Sequence, residues 1–121
     1  MPAAFPLLRR RGAFNPPLKS ITMALIYHIT TSSAWQKALE KGFYETDSLA
    51  AEGFIHCSHA EQVDGVLARY YAGKKDLIKL HVDTDKLTSQ LIYEWSPSIA
   101  DTFPHVYGPI NIDAVIRSEV I

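Results

Sequence analysis

Five histidines and one strand-borne carboxylate hold most of the chemical potential of this sequence. The histidines stand at positions 28, 56, 59, 81 and 105. A free imidazole titrates near about 6.5, so it gives or takes a proton at neutral pH with little adjustment. His56 lies in Gly53-Phe54-Ile55-His56-Cys57-Ser58, and His105 in Phe103-Pro104-His105-Val106-Tyr107-Gly108-Pro109. Glu94 stands between Tyr93 and Trp95. An acid between large aromatics in a strand is either the solvent-facing member of an amphipathic strand or a carboxylate in a cleft. Paired with a histidine, it suits general acid–base chemistry. Each histidine also has a plain reading as a structural hydrogen-bonder. His59, in a first helical turn, and His81, on the polar face of a strand, read as solvated.

Ser58 adds a second kind of chemistry. Ser58-His59-Ala60-Glu61 has the capping-box pattern, so a helix is expected to start there. The orphan N–H groups and dipole of such a start can hold an anion, beside His56. Zinc could take His56, Cys57, His59 and His105 as donors. Those residues straddle a strand–helix junction and there is no second cysteine, so no metal is expected. Cys57, inside a strand beside Ile55, reads as a buried thiol and not as a nucleophile. There is no glycine-rich phosphate loop of the Rossmann or Walker kind.

The elements that must position these groups follow from periodicity. Residues 24–30 alternate as a strand, and a helix with Trp35 and Leu39 on one face follows the capping pair Ser33 and Gln36. Residues 43–53 read as loop with one helical turn near Leu49, and residues 54–57 as a short strand. Val63, Val66, Leu67 and Tyr70 form the stripe of the second helix. Strands are expected at residues 77–82, with Ile78, Leu80 and Val82 on one face, at 91–95, and at about 114–121. Residues 96–104, with two prolines, read as loop. Helices cluster early and strands late, which predicts an α+β fold in place of a doubly wound parallel sheet.

Composition bounds the rest. The chain has 121 residues, a formal net charge of -1 and one cysteine. That is one domain's length with no intramolecular disulfide. The average hides a split. Residues 1–22 hold Arg9, Arg10, Arg11 and Lys19, no acid and four of the seven prolines, whereas residues 23–121 hold eight basic and thirteen acidic residues. Residues 1–22 therefore read as a disordered extension or leader, with a targeting peptide, a basic tail or an upstream start before Met23 as the other readings. Residues 23–121 read as the folded domain. Its acidic balance argues against nucleic acid as a partner, and apolar runs of a few residues argue against a membrane span. A cytoplasmic, reducing location is expected.

The set Ile26-Tyr27-His28-Ile29, Trp35, the segment around His56, Val82-Asp83, Glu94 and the segment around His105 resembles a small bacterial family, "domain of unknown function 952". The resemblance covers residues 24–121. The family pattern usually has a basic residue at the place of His28 and an aliphatic one at Cys57, which further disfavours a catalytic thiol. More remotely, Ile26-Tyr27-His28, His56 with Ser58, and a strand ending Val82-Asp83 are similar in order to tRNA 2′-phosphotransferases and the ADP-ribosyltransferase fold group. That resemblance implies a split, bent, mostly antiparallel sheet with two main helices, holding NAD in a cleft. It implies cleavage of a ribosyl bond, with Glu94, His56 and His105 as catalytic candidates. His28 and Ser58 would hold ribose and pyrophosphate, and Tyr27 or Tyr107 would wall the nicotinamide. It implies a small nucleotide or phosphate ligand and no metal. The phosphotransferases use several arginines, whereas this body has only Arg69 and Arg117, neither clearly equivalent, so transfer of a nucleic-acid 2′-phosphate is not expected. The alternative is a binding module of the same fold without chemistry.

Overall fold

The computed structural model describes residues 24–121. The reading of residues 1–22 as a leader lies outside the described residues. The chain runs β1 (Leu25–Thr31), α1 (Ser32–Lys41), β2 (Phe43–Tyr44), α2 (Asp47–Glu52), β3 (Ile55–His56), α3 (Val63–Tyr70), β4 (Leu77–Asp83), β5 (Gln90–Ser96), β6 (Asp101–Tyr107), β7 (Ile110–Asn111) and β8 (Val115–Val120). It is a mixed α+β fold in which the paired strands are antiparallel.

Two three-stranded sheets dominate. One has the order β1-β4-β8, the other β3-β6-β5, and β2 pairs with β7. Among the described residues a single bridge joins the large sheets: Tyr27 and Ser58 exchange both backbone hydrogen bonds at 2.8 Å. The core fills the space between them. Ile26 from β1, Ile78, Leu80 and Val82 from β4, and Ile55 and Val106 from β3 and β6 are buried together with Trp35 and Ala38 of α1. The expected alternation on β4 is thus what buries that strand. A second, smaller cluster forms where α3 covers Ile29 and Leu77 with Val63, Val66 and Leu67.

Three local departures from the sequence reading have simple causes. Helix α1 is capped by Thr31, whose side chain accepts from the Ala34 N–H at 3.1 Å, and its buried residues are Trp35 and Ala38, one position short of Leu39. Ser58 is not a helix cap, because its N–H is already committed to Tyr27. The cap falls one residue later: the His59 N–H donates to Gln62 Oε1 at 2.8 Å, opening a short 3-10 turn (Ala60–Gln62) that leads into α3. Third, Asp101–Tyr107 is a strand even though Pro104 sits within it. Pro104 is tolerated because its carbonyl accepts from the Cys57 N–H while its missing N–H falls where the β3 pairing ends.

Candidate functional site

Antiparallel register sorts the side chains of the second sheet into two faces. Ile55, Pro104 and Val106 point into the core. His56 lies opposite His105, and Glu94 opposite Phe103, so these groups share the outer face with Tyr107. The chain reaches this face through α2. Gly53, with φ of 91°, ends that helix in a left-handed turn that a side chain would strain. The turn sends Phe54 and His56 back across the end of α2, where Glu52 waits.

Two carboxylate–histidine pairs result. Glu94 Oε1 accepts from His105 Nδ1 at 2.7 Å and from the Tyr107 hydroxyl at 2.6 Å. Glu52 Oε1 accepts from His56 Nε2 at 2.6 Å. A carboxylate only accepts, so the proton sits on His105 Nδ1 and on His56 Nε2 when the rings are neutral. The opposite nitrogens, His105 Nε2 and His56 Nδ1, then carry lone pairs. The two rings meet edge to face with centroids 5.2 Å apart, and Phe54 stacks on His105 at 4.0 Å. Hydrogen bonds from Tyr107 and then His105 hold the Glu94 carboxyl below its usual range, and the same bond to Glu94 raises the Tyr107 phenol.

A cleft of about 580 Å³ opens beside these pairs. His56, His105 and Glu52 line it, together with Tyr27 of β1, Arg69 of α3 and Trp95 of β5. Glu94 and Tyr107 are not in its lining; they stand behind His105. Glu94 is therefore placed to orient His105, and it does not itself face the cleft.

The remaining candidates divide sharply. His28 touches the cleft floor but is buried, and both its ring nitrogens are used: Nδ1 donates to the His56 carbonyl at 2.6 Å and Nε2 accepts from the Tyr44 hydroxyl at 2.7 Å. Burial drives its pKa down to about 4, so it stays neutral. It has no polar atom left for a ligand. Ser58 lines the cleft but is buried, its backbone is bridged to Tyr27, and the helical turn starts one residue later, with His59 as its cap. Tyr27 does line the cleft, edge-on to His81 at 5.0 Å. Cys57 is buried and its thiol is pushed up to about 12, which makes it inert. His59 and His81 are less solvated than their positions suggest: His59 stacks on Tyr93, and His81 Nε2 donates to Glu119 at 2.9 Å. No set of three or more His, Cys, Asp or Glu side chains is disposed to hold a metal among the described residues. No helix among them is long and apolar enough to cross a membrane.

Sequence reasoning missed Glu52, Phe54 and the placement of Arg69. Glu52 precedes His56 by four residues, a spacing that only signals contact within a helix. Here a glycine turn makes the same contact.

A protein-family model described as "Protein of unknown function (DUF952)" matches residues 29–118. The chain belongs to that family. No curated protein matches this DUF952 chain. Among solved structures it is similar to the protein CC0527 from Caulobacter crescentus. The crystal structure of CC0527 is 33% identical, with a TM-score of 0.72, and the match covers 78% of this chain and 83% of that one. A double-mutant crystal form gives 32% identity, a TM-score of 0.71 and the same coverage. The solution structure gives 34%, a TM-score of 0.67, and 78% and 81% coverage. The resemblance noted in the sequence is thus a family membership, and the DUF952 fold extends across the described domain.

Proposed function

We propose that this DUF952 domain binds a nucleotide of the NAD or ADP-ribose class in the cleft and cleaves its ribosyl bond there. His105 would act as the base and Glu94 would position it. The observation that carries this reading is that His56 and His105 line one cleft, each fixed by its own carboxylate. Such pairs are preorganised for proton transfer, which contributes about 100- to 10,000-fold to rate. The volume falls within the roughly 300–1,000 Å³ usual for small-molecule sites. The exposed rings of Trp95 and Tyr70 at the mouth offer flat faces for a base or nicotinamide. The two antiparallel sheets meeting at the Tyr27–Ser58 bridge, with a cleft beside the junction, fit an ADP-ribosyltransferase-like split sheet.

In the proposed step the nicotinamide–ribose bond breaks with its electron pair going to the pyridinium nitrogen, which becomes neutral. Water, or an acceptor hydroxyl, forms the new bond to the anomeric carbon. Its proton passes to His105 Nε2, the nitrogen that Glu94 leaves free. The His105–Glu94 bond stabilises the imidazolium that forms. His56, held by Glu52, is the candidate to hold a ribose hydroxyl.

A second reading, a binding module without chemistry, is favoured by one observation. Glu94 accepts both its hydrogen bonds at Oε1 from protein groups and does not line the cleft, so among the described residues no carboxylate other than Glu52 faces a developing positive charge. Thermal shift with NAD, ADP-ribose and inorganic phosphate tests both readings. A ligand at 100 times its Kd adds about 2.7 kcal/mol of stability. No shift with any of them removes the nucleotide reading. Binding without release of nicotinamide from NAD selects the module.

A further inference from the structure

Of the described lysines and arginines without an ion-pair partner, Lys37, Lys74, Lys75, Lys86 and Arg69, it is Arg69 that lines the cleft. Lys41 pairs with Glu45 at 3.0 Å, Lys79 with Glu119 at 3.5 Å, and Arg117 with Glu119 at 3.8 Å. Arg69 lines the cleft and, among the described residues, has no carboxylate within ion-pair distance. Among the described residues it is the only lysine or arginine in the lining, and Glu52, already bonded to His56, is the only acid.

The helix is also shaped around it. Gly65 lies one turn before Arg69 in the first turn of α3, although glycine is a poor helix former. A Cβ built at Gly65 would sit 3.0 Å from Arg69 Nη1 and 3.6 Å from Cζ and Nη2. The absent side chain at 65 is thus the space in which the guanidinium lies along the helix. The guanidinium also lies over the Tyr70 ring, with the Arg69 Cζ 5.7 Å from the ring centroid. A guanidinium next to a glycine notch and an aromatic ring at a cleft wall, with Asp101 near enough to feel its charge but beyond ion-pair distance, is a placed anion receptor.

We propose that Arg69 anchors the phosphate or pyrophosphate end of the ligand, opposite in role to the His105 end where the bond is cleaved. The substrate class is then an elongated phosphate ester with a flat ring, held by one guanidinium fork at the charged end. This rests on the reading of the cleft as a nucleotide site, but it makes a separate demand. In an acidic domain, the anion must be held by this one local cation.

The test is calorimetric titration of the full chain with inorganic pyrophosphate, ADP-ribose and adenosine, comparing wild type with Arg69→Gln and Gly65→Ala. Arg69→Gln should weaken pyrophosphate and ADP-ribose at least tenfold and leave adenosine unchanged. Gly65→Ala keeps the charge but crowds the guanidinium, so it should weaken the same two probes to a smaller degree. Equal affinity of Arg69→Gln and wild type for pyrophosphate and ADP-ribose would overturn the anchor while leaving the nucleotide site standing. Pyrophosphate bound through Arg69 with no binding of ADP-ribose or adenosine would keep the anchor and sink the nucleotide reading. No binding of any of the three to wild type would overturn both.

Discussion

His28 and His105 are both strand histidines in segments of similar sequence character, yet the fold uses them in opposite ways. His28 faces the core side of β1, where Tyr44 and the His56 carbonyl saturate its ring and burial keeps it neutral. His105 faces the outer side of β6, where one nitrogen is held by Glu94 and the ring lines a cleft. A saturated, buried ring can only support structure. A half-saturated ring at a cleft has a fixed tautomer and a free lone pair, which is what proton transfer requires. The two are also linked. His28 fixes the backbone of His56, so the structural histidine holds the strand that presents a candidate functional one.

Substitutions can pull the two roles apart. The largest effect should come from His105→Ala, which is expected to lower turnover of a ribosyl substrate by about 100- to 10,000-fold while changing the urea midpoint little. Steady-state kinetics alongside urea denaturation checks both halves. Equal activity would return His105 to a structural role.

His28→Phe should do the reverse. It leaves the buried Tyr44 hydroxyl and the His56 carbonyl without their partner, at about 1–3 kcal/mol each, so a loss of about 3 kcal/mol is expected in urea. Any loss of binding should follow the loss of the fold.

Acidification probes the same buried ring. His28 titrates near about 6.5 unfolded and about 4 folded. Between these values the unfolded chain binds a proton that the native state does not, so stability falls as pH falls. The contribution is whole above pH 6.5 and is lost down to pH 4, for a total of about 3 kcal/mol at 1.36 kcal/mol per unit. The difference between wild-type and His28→Phe stability should shrink across that window. A constant difference would show that His28 is not buried in its neutral form.

The smallest effect should appear at Tyr107→Phe. Removing the hydroxyl takes away the first of the two hydrogen bonds that depress the Glu94 carboxyl. Glu94 should then titrate at higher pH, read from its side-chain carbon resonance. An unchanged titration would mean that Tyr107 does not hold the carboxylate.

Much of this arrangement was legible in the sequence, and the parts that were not share a physical reason. Alternation on β4 and the Val63, Val66 and Leu67 part of the α3 stripe came through because each packs on a core, whereas Tyr70 of that stripe and Tyr93 and Trp95 of β5 are exposed. The α+β class followed from their order. His56 and His105 were legible together through the family resemblance carried by their two aromatic segments. Strand β6 was hidden by Pro104, because proline argues against a central strand unless pairing ends at that residue. The Ser58 cap failed because a tertiary bridge to Tyr27 takes the backbone group that the motif assumed to be free. Glu52 was invisible because its contact with His56 is made across the Gly53 turn, a three-dimensional fact with no period. Arg69 could be seen only as a helix residue, since which wall a helix presents to a cleft is decided by packing of Val63, Val66 and Leu67 on β1 and β4.

The ligand site is proposed at the His56–His105 face, with His28 beside it but without a free polar atom for a ligand. Imidazole NMR of the full chain during titration with ADP-ribose tests this most directly, since all five rings report separately. The expected result is perturbation of the His56 and His105 ring resonances, with His28, His59 and His81 unmoved. Shifts confined to His59 or His81, a direct shift of His28 with His105 silent, or no shift in any ring would contradict it.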